Sequence, residues 1–144
     1  MSYSIRKVAV LGSGVMGSGI AAHIANAGIP VLLLDIVPFK AEEGEDTSSP
    51  KFRNKLAVGA VKKLKKQKPA PLASKRALEL IETGNFDDDM HRLSECDWVV
   101  EVVIERMDIK QQVFAKVEQH VKDGAIVSSN TSGLSIKGLS LIHI

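Results

Sequence analysis

The string Val10-Leu11-Gly12-Ser13-Gly14-Val15-Met16-Gly17, followed by Asp35 at the end of the run Val31-Leu32-Leu33-Leu34, limits what this chain can fold into more than any other feature. Lys7 to Leu11 is a short apolar run that stops at Gly12, and Ile20, Ile24 and Ala27 then recur at helical spacing until Gly28. That order reads as strand, glycine turn, helix and second strand, with Gly28 as a left-handed helix cap. Each glycine has its own task in such a unit: Gly12 makes the tight turn, Gly14 admits a diphosphate, and Gly17 lets helix and strand touch. The phosphates rest on the helix amino terminus, whose N–H groups carry partial positive charge. Asp35 lies 18 residues after Gly17 and 23 after Gly12, near the interval at which an acid reaches the hydroxyls of an adenosine ribose. An aspartate there repels a 2'-phosphate and no arginine follows it directly, so NAD is expected rather than NADP. A glycine turn by itself only permits packing, with Asp35 a solvated strand end; the surrounding elements favour the dinucleotide reading.

The rest of the chain continues the alternation. Strands are predicted at Lys7–Leu11 and Pro30–Asp35, with a helix over Val15–Ala27 between them. The acidic, Ser-, Gly- and Pro-rich stretch Glu42–Pro50 reads as a mobile surface loop. Beyond it, Leu56, Ala57, Ala60, Val61 and Leu64 form the apolar face of a basic helix that Pro69 and Pro71 end. Ser74–Leu80 is either a second short helix or the approach to a strand near Leu80–Thr83. Gly84-Asn85 reads as a turn, Asp87–Leu93 as a short acidic helix, and Asp97–Ile104 as a strongly β-branched strand with Trp98 in the core. Asp108 and Gln111 resemble a capping box for a helix with the stripe Ile109, Val113, Val117 and Val121, which Lys122-Asp123-Gly124 ends. Ala125–Ser128 is the next strand, with Ser129-Asn130-Thr131-Ser132 just beyond it. This pattern predicts an α/β fold of Rossmann type: a doubly wound, mainly parallel sheet with helices on both faces. In such sheets ligands bind outside the carboxyl ends of the strands, where the glycine turn, Glu105 with Lys110, and Asn130 to Ser132 converge.

Composition narrows the function. At 144 residues and 44% hydrophobic content the chain suits one domain. Cys96 is the only cysteine, which rules out an internal disulfide and fits a buried thiol in a reducing, cytoplasmic setting. No apolar run is long enough to span a membrane, and no metal-ligand spacing is present. The segment Lys51–Arg76 holds ten Lys or Arg and no acid, although the net charge is only +2. No aromatic residues interleave with those lysines, so nucleic acid is not expected as a partner.

Gly12-Ser13-Gly14-Val15-Met16-Gly17-Ser18-Gly19-Ile20-Ala21, Asp35, Val99 to Glu105 and Ser129-Asn130-Thr131-Ser132 occur in the order and spacing of the NAD-binding domain of 3-hydroxyacyl-CoA dehydrogenases. The resemblance runs to about Lys137 and is especially close to long bacterial proteins that join this dehydrogenase to an enoyl-CoA hydratase-like part in fatty-acid β-oxidation. It implies that Gly12, Gly14, Val15, Met16, Gly17, Asp35, Val103, Ile104, Glu105 and Lys110 line the NAD site. Ser132 would lie between NAD and the substrate hydroxyl, with Asn130 beside it. Lys62, Lys63 and Lys66 would face the phosphates of an acyl-CoA substrate. The plainer alternatives are that Glu105 and Lys110 are a surface pair, that Asn130 and Ser132 are turn residues, and that the lysines are a solvated face.

The implied reaction oxidises the 3-hydroxyl of an acyl-CoA to a ketone while NAD takes the hydride. The family's proton acceptor is a histidine held by a glutamate, in a Gly-x-His-Phe-Phe-Asn-Pro motif that would fall beyond Ile144. His23, His91, His120 and His143 each read as surface or packing residues. The resemblance therefore implies a piece of a longer protein: an NAD-binding domain over 1–138, an atypical apolar tail over 139–144 that should fray or associate, and no helical domain of the kind that makes the family's homodimer. Such a piece is expected to bind cofactor without turning over. Two other readings stand beside this one: a non-catalytic NAD-sensing or interaction module, and a dehydrogenase for another β-hydroxy acid.

Overall fold

The computed structural model describes residues 5–37, 43–44, 46–66, 75–102, 107–122 and 124–129; for 75, 107–110, 114 and 129 only the backbone is described. Strands β1 (Val8–Leu11), β2 (Val31–Asp35), β3 (Ile81–Asn85), β4 (Trp98–Glu101) and β5 (Ile126–Ser129) form one sheet in the order β3-β2-β1-β4-β5. All four pairings are parallel, and the register sets Leu11 beside Leu34 and Glu101. Helices α1 (Val15–Asn26), α2 (Pro50–Arg53), α3 (Lys55–Lys66), α4 (Lys75–Glu79) and α5 (Met107–His120) connect the strands.

A parallel sheet covered on both faces needs apolar residues at every strand position rather than at alternate ones. All four residues of β1 and the first four of β2 are fully buried. Val8, Val10, Val31 and Leu33 face α1, α3 and α4, packing with Ala21, Ala25, Ala60 and Leu64. Ala9, Leu11, Leu32 and Leu34 face the other way, onto Leu93, Val113 and Val117. The Val113 and Val117 stripe of α5 is thus borne out, and so is the doubly wound sheet.

The ends of α1 follow from its glycines. Gly12 has φ +113°, a region that side chains rarely enter. At the far end Gly28 has φ +86°; its N–H donates to Ala25 O and that of Ile29 to Ile24 O, the paired bonds of a Schellman cap.

Some local expectations change. Residues 75–85 hold both a helix and a strand, since α4 leads directly into β3. Gly84 and Asn85 end that strand instead of turning it. A Cβ at Gly84 would lie 2.5 Å from the Asp89 carboxylate and 2.8 Å from Leu34 Cδ2, so glycine is there for close approach. Asn85 is 1% exposed, and its Oδ1 accepts the N–H groups of Asp87 and Asp88, so the turn begins one residue later. The acidic helix is a 3₁₀ segment at Met90–Glu95. Trp98 is half-buried at the start of β4, its Nε1 donating to Ser128 Oγ at 2.9 Å. Helix α5 begins at Met107, so Asp108 lies in its first turn and not at the cap position. Leu56 is 39% exposed, because the surface beside it is a cleft. The tail 139–144 lies outside the described residues.

Candidate functional site

The carboxyl ends of β1 and β2 and the amino end of α1 meet at one place. Gly12 N–H donates to Leu34 O at 2.7 Å, which ties the glycine turn to the strand that ends in Asp35. The first bond inside α1 is Ser18 N–H to Gly14 O at 2.9 Å, and its first turn holds no acidic residue. The positive end of the helix is therefore not offset by a carboxylate on its own first turn.

The three glycines differ in their surroundings as the strand-turn-helix reading requires. A Cβ at Gly17 would lie 1.8 Å from Gly12 O and 2.9 Å from Val102 Cγ2, so only glycine lets α1 lie on the turn. A Cβ at Gly14 would meet nothing within 4 Å; the space above it is open to a ligand. Val15 is 90% exposed and Met16 58%, which is unusual for apolar side chains at a helix start and suits a surface that a ligand covers.

A cleft of about 500 Å³ opens here, between the glycine turn and α3. Ser13, Gly14, Val15, Ser18 and Asp35 line one wall, and Lys55, Leu56, Gly59, Ala60 and Lys63 the other. Of the three lysines the sequence singles out for CoA, Lys63 lines this cleft; Lys62 and Lys66 are exposed elsewhere on α3. Helix α3 is held by what precedes it. Ser49 caps α2 by accepting Phe52 N–H at 3.2 Å, with Pro50 at the first helical position, and Arg53 then bonds Asp88 through Nε at 2.6 Å and Nη2 at 3.0 Å. That pairing holds the Asp88 carboxyl below its ordinary range.

A second, smaller pocket of about 170 Å³ lies beyond the end of β2. Its apolar lining is Ile36, Val37, Phe86 and Val113; at its rim Lys116 Nζ pairs with Asp87 at 3.1 Å. It follows Asp35 directly along the chain. Asp35 lines the first pocket, and Ile36, next along the chain, lines the second.

Gly12, Gly14, Val15, Met16, Gly17 and Asp35 are thus brought together. Val103, Ile104, Glu105, Asn130 and Ser132 lie outside the described residues, and for Lys110 only the backbone, in the first turn of α5, is described. Sequence reading missed Ser13, which is 8% exposed and bonded to Asp35, and Glu101, a fully buried acid beside Leu11. Ser13 becomes visible only once the parallel register of β1 and β2 brings the glycine turn beside Asp35. Glu101 had no signal, being one polar residue in an apolar run. Burial pushes the Cys96 thiol up to about 11, so it stays protonated at neutral pH and supplies no nucleophile. Among the described residues no group of His, Cys, Asp or Glu could hold a metal, and no helix is long and apolar enough to cross a membrane.

The family model of the 3-hydroxyacyl-CoA dehydrogenase NAD-binding domain matches residues 7–142. A probable 3-hydroxyacyl-CoA dehydrogenase of Bacillus subtilis is 55% identical over 145 residues, covering 97% of this chain and 18% of its own length. A putative fatty acid oxidation complex trifunctional enzyme of Rickettsia felis is 43% identical over 139 residues, again 18% of its length. The crystal structure of 3-hydroxybutyryl-CoA dehydrogenase from Escherichia coli superposes with a TM-score of 0.70 at 28% identity, over 96% of this chain and 27% of that one. The chain therefore spans only a minor part of the relatives it matches.

Proposed function

The chain belongs to the family of NAD-binding domains of 3-hydroxyacyl-CoA dehydrogenases, and from that premise we propose that it is the cofactor-holding part of an enzyme that oxidises 3-hydroxyacyl-CoA to 3-oxoacyl-CoA in fatty-acid β-oxidation. The observation that carries this is the open space over Gly14 at the mouth of α1, walled on one side by Asp35. Backbone N–H groups at the helix opening hold the diphosphate, where charge and direction suit an anion. Asp35 accepts the hydroxyls of the adenosine ribose. The apolar pocket of Ile36, Val37, Phe86 and Val113 follows Asp35 and suits the adenine ring, which is flat and weakly polar.

NAD, when bound, supplies the hydride acceptor. This chain's residues bind it, orient it and keep water from its buried face. Met16, Val103, Ile104 and Glu105 line the NAD site, and Lys110 contacts the cofactor. Ser132 lies between NAD and the substrate hydroxyl, with Asn130 beside it. Lys63 faces the phosphates of the acyl-CoA from across the cleft, a role its place on the wall supports better than it does for Lys62 or Lys66. A histidine paired with a carboxylate is the chemical means of taking the hydroxyl proton near neutral pH; we assign that work to a part of the enzyme other than this chain's four histidines. The enzyme works in the cytoplasm, as a homodimer made by its helical part.

The test is titration of the 144-residue chain with NADH, followed by fluorescence or calorimetry, alongside an assay with 3-hydroxybutyryl-CoA and NAD. Saturable NADH binding without turnover is expected. Turnover by this chain alone would show that the proton acceptor lies within it.

A further inference from the structure

Ser13 lies between two glycines, where nothing in its neighbours' side chains dictates which way its own should point, yet it is 8% exposed and turned towards β2. Its backbone N–H donates to Asp35 Oδ2 at 2.9 Å, and its hydroxyl donates to the same oxygen. The other oxygen, Oδ1, accepts Ile36 N–H at 2.7 Å. An aspartate side chain on its own turns broadly about its last torsion. Three donors, reaching the two oxygens from different segments, fix the plane of this one. A carboxylate has about four acceptor positions, so capacity remains for a ligand on the cleft side.

We infer that Ser13 is a positioning residue that sets cofactor choice through Asp35. With its hydroxyl in place, the carboxylate keeps its one remaining acceptor position, on Oδ1, for a ribose hydroxyl and cannot turn aside for a 2'-phosphate. A locked anion discriminates against that phosphate more than a mobile one, because a mobile carboxylate relieves the repulsion by rotating. The inference rests on the reading that Asp35 holds the ribose. It adds that the discrimination comes from orientation as well as charge.

NADH and NADPH are titrated by fluorescence into the 144-residue chain and into its Ser13→Ala, Ser13→Thr and Asp35→Ala variants, with a thermal melt of each. Alanine retains the backbone bond and the turn, so the melt should barely move. Ser13→Ala is expected to weaken NADH roughly 3- to 10-fold, the scale of one ordinary hydrogen bond, since the backbone bond to Asp35 is retained, while NADPH is unchanged or tighter. Threonine, which keeps the hydroxyl, restores the preference. If Ser13→Ala changes both cofactors equally, or neither, while Asp35→Ala shifts their ratio, the positioning role is overturned and the ribose reading survives. If Asp35→Ala also leaves the ratio unchanged, the ribose reading fails and this inference with it.

Discussion

The two ends of the sheet are built on opposite principles. At the amino end, Asp97 accepts the N–H groups of Arg6 and Lys7 and pairs with Lys122. Lys7 lies 3.9 Å from Glu82 and 3.6 Å from Glu95, and Arg92 pairs with Glu82. Every one of these carboxylates has a cation within reach. At the carboxyl end of β1 and β2 the chain instead turns through glycine, opens a helix with no acid in its first turn, and leaves a cleft. The carboxyl end of β3 is closed again, by Arg53, Asp88 and Asn85. Among the described residues the opening thus lies at the ends of β1 and β2, where the diphosphate and adenosine of a dinucleotide would rest. Charges that satisfy each other hold a fold; helix ends and carboxylates facing a cleft are what a ligand can use.

The sharpest way to break this contrast is Gly17→Ala. The added methyl would overlap Gly12 O at 1.8 Å, so α1 must lift from the turn. We expect a loss of about 3 kcal/mol of stability together with NADH binding, seen in a denaturant melt and a titration. Next in size is Asp35→Ala, which should cost roughly 10- to 100-fold in NADH affinity, as removing a charged acceptor does. Thermal stability should change far less.

Asp97→Asn probes the other end. Lys122 and the Arg6 N–H hold the Asp97 carboxyl below its ordinary 3.8. A carboxyl depressed on folding stabilises the fold above its unfolded value, and that stabilisation is lost as pH falls through the lower folded value. Stability of the wild type should therefore fall below about pH 4, and Asp97→Asn should flatten that fall. At neutral pH the substitution should cost only about 1 kcal/mol, because solvent screens the pair. NADH affinity should not change. The smallest effect is expected on α3: Lys63→Ala should weaken coenzyme A about two- to fivefold in a salt-dependent way, whereas Lys62→Ala should leave it unchanged.

How much of this the sequence carried differs by scale. Parallel strands buried on both faces need continuous apolar runs, so β1, β2 and the order of elements around them were legible, as was the Gly28 cap. The glycine turn and Asp35 were legible because each has a fixed spacing tied to a fixed geometry. Gly84-Asn85 misled because Gly and Asn favour turns by type, while here one admits the Asp89 carboxylate and the other caps the turn from the end of a strand. The Ser13 to Asp35 bond required the register of two strands, which composition does not report. Which lysines of α3 face the cleft depends on how that helix is rotated, and Arg53, which holds the element before it, acts through a contact with Asp88 far along the chain.

Backbone amide chemical shifts recorded during an NADH titration test the contrast between the two ends most directly. The largest changes should fall at Gly12 to Gly17 and at Asp35 and Ile36, with Lys7, Asp97 and Lys122 unmoved. Changes centred on the amino end, or spread evenly over both, would contradict that contrast.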